Sequence, residues 1–247
     1  MELTSKHYWQ EYYHQASEDR ATIEKICSEY STFWQMLVSV CNQRPQSIVE
    51  IGAFPGRYLA YLASQYQLKA TGIDFNPDVE KFNRTMLSMG VDNFDYICTD
   101  FLKHAPVQQY DLVFSNGFIE HFTNYDEVLD KHAAYLKKGG AMMVMIPNKR
   151  YFRKWYGYLV DYKNLKAHNL ECMHLTLFSD FAKRNGLEVK YLSYYGGFAY
   201  RVHQHLALWQ RIIYRPVRWV SIRLNGVLSR NPSKWYSGTI VAIFTRK

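Results

Sequence analysis

Apolar residues in this chain fall into short β-branched runs and longer amphipathic stretches, and the two kinds alternate. Across 7–42, Ile23, Ile26, Tyr30, Phe33, Leu37 and Val40 recur in steps of three or four, which predicts helix up to Pro45. Ser47–Ile51 is a short apolar run opening onto Gly52 and reads as a buried strand. Arg57–Tyr66 then places Leu59, Leu62 and Ala63 at helical spacing. The same alternation gives a strand at 70–73 ending at Asp74, and a helix at 77–89 with Asn76 as N-cap and Pro77 in its first position. It continues with a strand at Phe94–Cys98 ending near Asp100, and a strand at 110–114 leading into Ser115-Asn116-Gly117. A helix from about 125 to 136 follows, with Lys137-Lys138-Gly139-Gly140 as its stop, and a strand at 141–146 closes at Pro147.

Beyond Pro147 the rhythm breaks. Residues 149–172 are basic and aromatic and form a first insertion, 177–185 predicts a helix stopped by Gly186, and 187–194 a strand. Residues 197–236 form a second insertion and 239–244 a last strand. Strand–helix alternation at this spacing predicts an α/β domain with a mostly parallel sheet and helices on both faces. The expected organisation is one domain: an N-terminal helical cap over 1–45, a core over 47–148, substrate-side insertions around a helix and strand over 149–236, and the last strand over 237–247.

Charge changes this picture at one end. The chain of 247 residues carries +8, yet no acidic residue lies beyond Glu188, while ten of its 30 Lys and Arg lie from Val189 onward. That asymmetry points to an anionic partner or surface. With 21 Tyr and six Trp the aromatic content exceeds what a core needs, which suits pockets and interfaces, although packing accounts for many of them. Cys27, Cys41, Cys98 and Cys172 form no CxxC pair, so neither a disulfide framework nor a metal site is expected. The first residues lack the apolar run of a signal peptide and no window reaches the length of a membrane span, so a soluble cytoplasmic protein is expected.

Candidate chemistry sits where ligands bind an open α/β sheet, beyond the carboxyl ends of the strands. After the first strand comes Glu50-Ile51-Gly52-Ala53-Phe54-Pro55-Gly56, a tight glycine turn without the GxGxxG of a dinucleotide site or the GKS/GKT of a phosphate loop. Asp74 ends the second strand, 24 residues after Glu50, where a carboxylate can accept both hydroxyls of a ribose; Phe75 can pack on a purine face. Asp100-Phe101 follows the third strand, where an acid can accept from an exocyclic amine.

In these motifs the chain resembles the class I, Rossmann-like S-adenosylmethionine-dependent methyltransferases of the small-molecule type. The looser acid-GxxxG signature matches Glu50 to Gly56, with Phe54 where a middle glycine is usual; Asp74 matches the ribose acid, and Asp100-Phe101 the adenine pair. Tyr110-Asp111-Leu112-Val113-Phe114-Ser115-Asn116 matches the fourth motif, and Leu136 to Gly140 the loop before the fifth strand. The resemblance implies a seven-stranded sheet with the last strand antiparallel between its neighbours. It also implies S-adenosyl-L-methionine as cofactor, contacted by Tyr13, Glu50, Gly52, Ala53, Phe54, Gly56, Asp74, Phe75, Asp100, Phe101, Ser115 and Asn116.

His121, in the pair Glu120-His121, is the candidate general base on a substrate hydroxyl, against the plainer reading that it caps the following helix or hydrogen-bonds the cofactor region. Tyr8, Trp9, Tyr12 and Tyr13 resemble an aromatic segment that folds over the cofactor in relatives, against a helix packing on the sheet. His168, His174, His203 and His205 read as surface or structural histidines. The expected reaction is O-methylation, with N-methylation second, of a small-molecule or saccharide acceptor, which the basic insertions suit to an anionic one. A quinone or lipid acceptor at a membrane, RNA, and cofactor binding without turnover are the alternatives; RNA is disfavoured because the fourth motif lacks an NPPY- or DPPF-type sequence. In 209–224, Trp209, Ile213, Val220 and Leu224 share one side and Arg211, Arg215 and Arg218 another, interrupted by Pro216. A lid or a homodimer contact is expected of this stretch ahead of a membrane surface, because Pro216 shortens the apolar face.

Overall fold

The computed structural model describes residues 4, 9, 13, 18–202 and 205–247. Tyr8, Tyr12 and His203 lie outside the described residues. Strands β1 (Ser47–Ile51), β2 (Lys69–Asp74), β3 (Phe94–Cys98), β4 (Tyr110–Asn116), β5 (Leu136–Pro147), β6 (Leu187–Phe198) and β7 (Ser237–Arg246) form one sheet in the order β3-β2-β1-β4-β5-β7-β6. The first five pair parallel, and β7 lies antiparallel between β5 and β6, as the resemblance implied.

Helices cover both faces. Alternate strand residues point to opposite sides, and here both sides are apolar, so the strands read as continuous hydrophobic runs. Ile48, Leu112, Phe114, Met143 and Val241 pack under α1 (Arg20–Ser28), α2 (Ser31–Ser39), α3 (Arg57–Tyr66) and α4 (Val79–Ser88). Val49, Val113, Val144, Ile240 and Phe244 pack under α5 (Tyr125–Ala133) and α8 (Leu175–Arg184) on the other. Between them in sequence, the first insertion folds as α6 (Phe152–Val160) and α7 (Tyr162–Lys166), and the second carries the long α9 (Leu208–Arg230).

Several local expectations change. The 7–42 stretch breaks at Tyr30, which lies between α1 and α2 and has φ −109°. Asp78, not Asn76, caps α4: its Oδ1 accepts from Lys81 N at 3.0 Å, while Asn76 Oδ1 accepts from Asp78 N one step earlier. Both are good caps, and the extra Asx turn delays helix entry past Pro77. Lys137-Lys138-Gly139-Gly140 belongs to β5 and does not stop a helix, since α5 ends at Ala133. Lys137 is instead drawn to Asp111 on β4, 2.9 Å away. Pro216 does not divide the second insertion, because α9 runs through it.

Candidate active site

Strands β1 and β4 are neighbours, while the chain leaves them for opposite edges of the sheet, and the loops after them diverge into a crevice. Gly52 and Gly117 stand at the two carboxyl ends with φ +73° and +68°. A Cβ on Gly52 would lie 2.5 Å from the Phe118 ring, so the first loop passes directly beneath that side chain. Gly52→Ala is therefore expected to destabilise the fold by about 2 kcal/mol through left-handed strain and the clash. That corresponds to a thermal midpoint lowered by roughly 4–8 °C, and an unchanged midpoint would show that Phe118 simply swings aside.

On the β2–β3 side the crevice is lined by Asp74, Phe75, Asn76, Thr99, Asp100 and Phe101. Asp74 organises this wall: Oδ2 accepts from Phe54 N at 3.1 Å and Oδ1 from Asn76 N at 2.9 Å, tying the glycine loop to the end of β2. Asp100 Oδ1 accepts from Leu102 N at 3.0 Å, and its carboxylate stays partly open to solvent. Phe101 is mostly buried against Phe118 and Tyr135, so only one side of its ring faces the crevice. Trp9 and Tyr13 lie across the mouth. Their rings stack at 5.6 Å, Tyr13 meets Phe54 edge-on, and Trp9 meets His121 edge-on at 4.6 Å.

Past these rings is a chamber of about 290 Å³ that shares Gly52, Gly117 and His121 with the crevice. Its floor holds Glu50, buried, with Oε2 accepting from Leu59 N at 2.9 Å; burial and the nearby Asp74 raise its pKa well above the carboxylate range. Its far wall is polar to an unusual degree for buried space: Glu120, His121, Lys149, Arg153, Asn164 and His168. Burial pushes the Glu120 carboxyl up to about 8, and both its oxygens lack a hydrogen-bond partner. Burial, helped by the neighbouring Lys149, lowers His121 to about 4, so it is neutral at pH 7. Its Nδ1 donates to the Ala167 carbonyl at 2.7 Å, which leaves the lone pair on Nε2, 3.8 Å from Glu120 Oε1.

His168 packs against His121 with ring centroids 4.5 Å apart, and its Nδ1 donates to the Asn164 carbonyl at 2.6 Å. Lys149 Nζ donates to Asn164 Oδ1 at 2.7 Å. Burial and the Arg153 charge bring Lys149 down to about 7. Glu120, His121 and His168 present ligand atoms within 4.8 Å of one another, a set that could take up a cation, although the Lys149 ammonium stands on the same side.

A buried lysine with a depressed pKa weakens the fold while it is protonated. The unfolded chain holds that proton up to the ordinary lysine pKa, so stability should rise with pH above about 7. Lys149→Met is expected to raise the thermal midpoint at pH 7 by several degrees and to flatten the difference between the two proteins as pH climbs to 8.5. Parallel midpoints for the two proteins over that window would show that the ammonium is not penalised.

Of the residues singled out in the sequence, Tyr13, Gly52, Asp74, Phe75, Asp100, Phe101 and His121 line the crevice, and Glu50, Ala53, Phe54 and Asn116 the chamber. Gly56 and Ser115 do not reach either space. Gly56, at φ +97°, fits beneath Phe82 at the start of α3, and Ser115 is buried with its hydroxyl unpartnered inside the sheet. His174 is structural as expected: Nδ1 caps α8 by accepting from Leu177 N at 3.1 Å. His168, read as a surface or structural histidine, stands in the chamber wall, held by the Asn164 carbonyl and the His121 ring. Lys149, Arg153 and Asn164 were missed. Lys149 follows β5 by two residues, so the strand-end rule applied to the fifth strand would have found it; the other two carry no local signal.

Residues 16–194 match the family model described as a methyltransferase domain. No curated protein matches the sequence significantly. Among solved structures, the plantazolicin methyltransferase BpumL, bound to a pentazolic desmethyl analogue and S-adenosylhomocysteine, is 17% identical, with 98% of this chain and 91% of that one covered at a TM-score of 0.61. An S-adenosylmethionine-dependent methyltransferase from Archaeoglobus fulgidus is 16% identical, covering 98% and 100%, at 0.57. The N-methyltransferase NodS from Bradyrhizobium japonicum, bound to S-adenosylhomocysteine, is 13% identical, covering 99% and 94%, at 0.55. At these identities the solved structures establish a shared fold.

Proposed function

This chain belongs to the methyltransferase-domain family, as an S-adenosylmethionine-dependent enzyme of the class I fold, and from that premise we propose that it methylates a hydroxyl oxygen of a small, anionic acceptor held in the chamber. The observation that carries this reading is the polar wall of Lys149, Arg153, Asn164 and His168, which meets the crevice at His121 and Gly52. The residues present suit the cofactor: glycines at both central strand ends admit a ligand close to the backbone, and acids at the ends of β2 and after β3 offer acceptors for ribose and amine. Tyr13, Glu50, Ala53, Phe54 and Asn116 would lie along its amino-acid end. When bound, it supplies an electrophilic methyl group on a sulfonium.

The chain's own work is then placement and proton removal. Trp9 and Tyr13 close the mouth, which excludes water and orients the acceptor between the crevice and the wall. Lys149 and Arg153 attract the acceptor's anionic group. With Nδ1 held by the Ala167 carbonyl, His121 Nε2 would accept the hydroxyl proton as the methyl passes to oxygen, the methyl–sulfur bond breaking with its electron pair left on sulfur. A pKa near 4 does not disqualify it, because an oxygen gaining a methyl group becomes a far stronger acid than the free hydroxyl.

Incubation with S-adenosylmethionine and matched acceptor pairs tests this directly, with S-adenosylhomocysteine release as the readout. Carboxylate-bearing phenols and acidic saccharides should be turned over, and their amine counterparts and neutral analogues should be poor substrates. Turnover of amines alone would assign the chamber to nitrogen acceptors, and equal turnover of neutral analogues would remove Lys149 and Arg153 from recognition.

A further inference from the structure

Helix α9 is held to the sheet by one face only. Asn225 Oδ1 accepts from Phe198 N at 2.9 Å, and Gln210 Nε2 donates to the Leu159 carbonyl of α6 at 2.9 Å, one anchor on each side of Pro216. Ile213, Val217, Ser221 and Leu228 turn inward with them. The other face is apolar yet exposed: Trp209, Ile212, Trp219, Val220 and Val227, with Ile212 at 74% and Trp219 at 57%. At 100° per residue these five fall within about one third of the helix circumference; Arg223 shares that arc with its guanidinium over the Trp219 ring, and Arg211, Arg215 and Arg218 flank it on one side. Alongside, α6 exposes Phe152, Trp155 and Tyr158, and Trp235 packs on Phe152.

A soluble surface rarely leaves so many large apolar side chains together without a partner. We infer that this α9–α6 face docks the enzyme on an anionic lipid bilayer, with the tryptophans and aliphatic side chains entering the interface and the arginines on the headgroups. No described helix is long and apolar enough to cross a membrane, so α9 would lie along the surface.

Charge selects the bilayer over other occupants. From Val189 onward the chain has ten Lys and Arg and no acidic residue. A symmetric dimer through α9 would set arginine against arginine with no carboxylate from α9 between them, at a cost. Nucleic acid satisfies the arginines but leaves Ile212, Val220 and Val227 in water, whereas an anionic membrane satisfies both. Arg153, on the inner side of α6, lines the chamber, so the docking face backs directly onto the acceptor space. The inference stands on the surface alone and does not depend on which acceptor is methylated.

Co-sedimentation of the full chain with vesicles of phosphatidylcholine, with and without 30% phosphatidylglycerol, tests it. The wild type should pellet with the anionic vesicles and not with the neutral ones, and Trp fluorescence should shift to the blue. Arg211→Glu/Arg215→Glu/Arg218→Glu should weaken binding by roughly 100-fold or more. Trp209→Ala/Ile212→Ser/Trp219→Ala should weaken it at least tenfold even at low salt, with both variants keeping the wild-type thermal midpoint. Equal binding to neutral vesicles, no binding to either, or binding indifferent to both variants would overturn the inference. So would a concentration-dependent dimer lost in the tryptophan variant, or salt-sensitive RNA binding without vesicle binding. If acceptor turnover fails while vesicle binding persists, only the reading of the chamber is lost.

Discussion

Asp74→Ala is expected to lower S-adenosylmethionine affinity by roughly 100-fold, read by calorimetry. A carboxylate at the end of β2 can accept two ribose hydroxyls, and hydrogen bonds to a charged group contribute about 1.5–3 kcal/mol each. Two bonds to one carboxylate do not add in full, so about 3 kcal/mol, or two orders of magnitude, is the expected loss. Asp74 also holds Phe54 N and Asn76 N, so the alanine variant frees the glycine loop as well. Asp74→Asn separates the two contributions. Its amide oxygen can still accept from one partner, and its loss should be nearer tenfold with a nearly native midpoint. Unchanged affinity in both variants would refute the ribose assignment. Loss in the alanine variant alone would mean that loop order, not ribose contact, is what Asp74 supplies.

His121→Ala should act in the opposite way. Cofactor affinity should stay within a few-fold of wild type, while turnover of the best acceptor falls by about 10²–10⁴, the range for losing a positioned base. The pH profile gives a second readout. His121 is held near 4 by burial, so it is the competent neutral base at higher pH and becomes protonated as pH falls through that value. The acid limb that His121→Ala abolishes should therefore lie below pH 5. A limb near 6.5 would mean that the imidazole is solvated during turnover. Full activity would remove His121 from the chemistry and leave acceleration to placement.

Glu120 bears on the His121 result. Its carboxyl is raised to about 8 by complete burial, and its oxygens sit beside His121 without partners of their own. Such a group is costly to keep in a fold unless it meets something in use, such as an acceptor's hydroxyl.

Much of this architecture was already written in local patterns. Ser47–Ile51, Arg57–Tyr66 and Phe94–Cys98 form the elements that their apolar spacing predicts, with those bounds. Period and composition act within a few residues, so they survive whatever packs around them. Errors came where two local signals competed. Asn76 and Asp78 are both good caps, and the chain uses both in turn: Asn76 closes an Asx turn on Asp78, which then caps the helix two residues later. Pro216 would end a helix in isolation, yet with anchors at Gln210 and Asn225 on either side α9 continues through it.

The strand-end residues belong to the sequence as well. Glu50 and Asp74 lie at the ends of their strands, Gly52 and Asp100 follow theirs within two residues and His121 comes five residues after β4, so strand assignment carries them to the crevice and the chamber behind it. The rest of the site was decided by the tertiary structure. Ala167 fixes the tautomer of His121 from 46 residues away, and Lys149, Asn164 and His168 converge because the end of the α6–α7 insertion folds back onto the Glu120–His121 turn after β4. Lys149 at least follows a strand end, but Asn164 and His168 do not differ in type or spacing from ordinary surface polar residues. What sets them apart is burial, which moves their pKa values and leaves Glu120 unpartnered, and burial is a property of the packed molecule rather than of any stretch of chain.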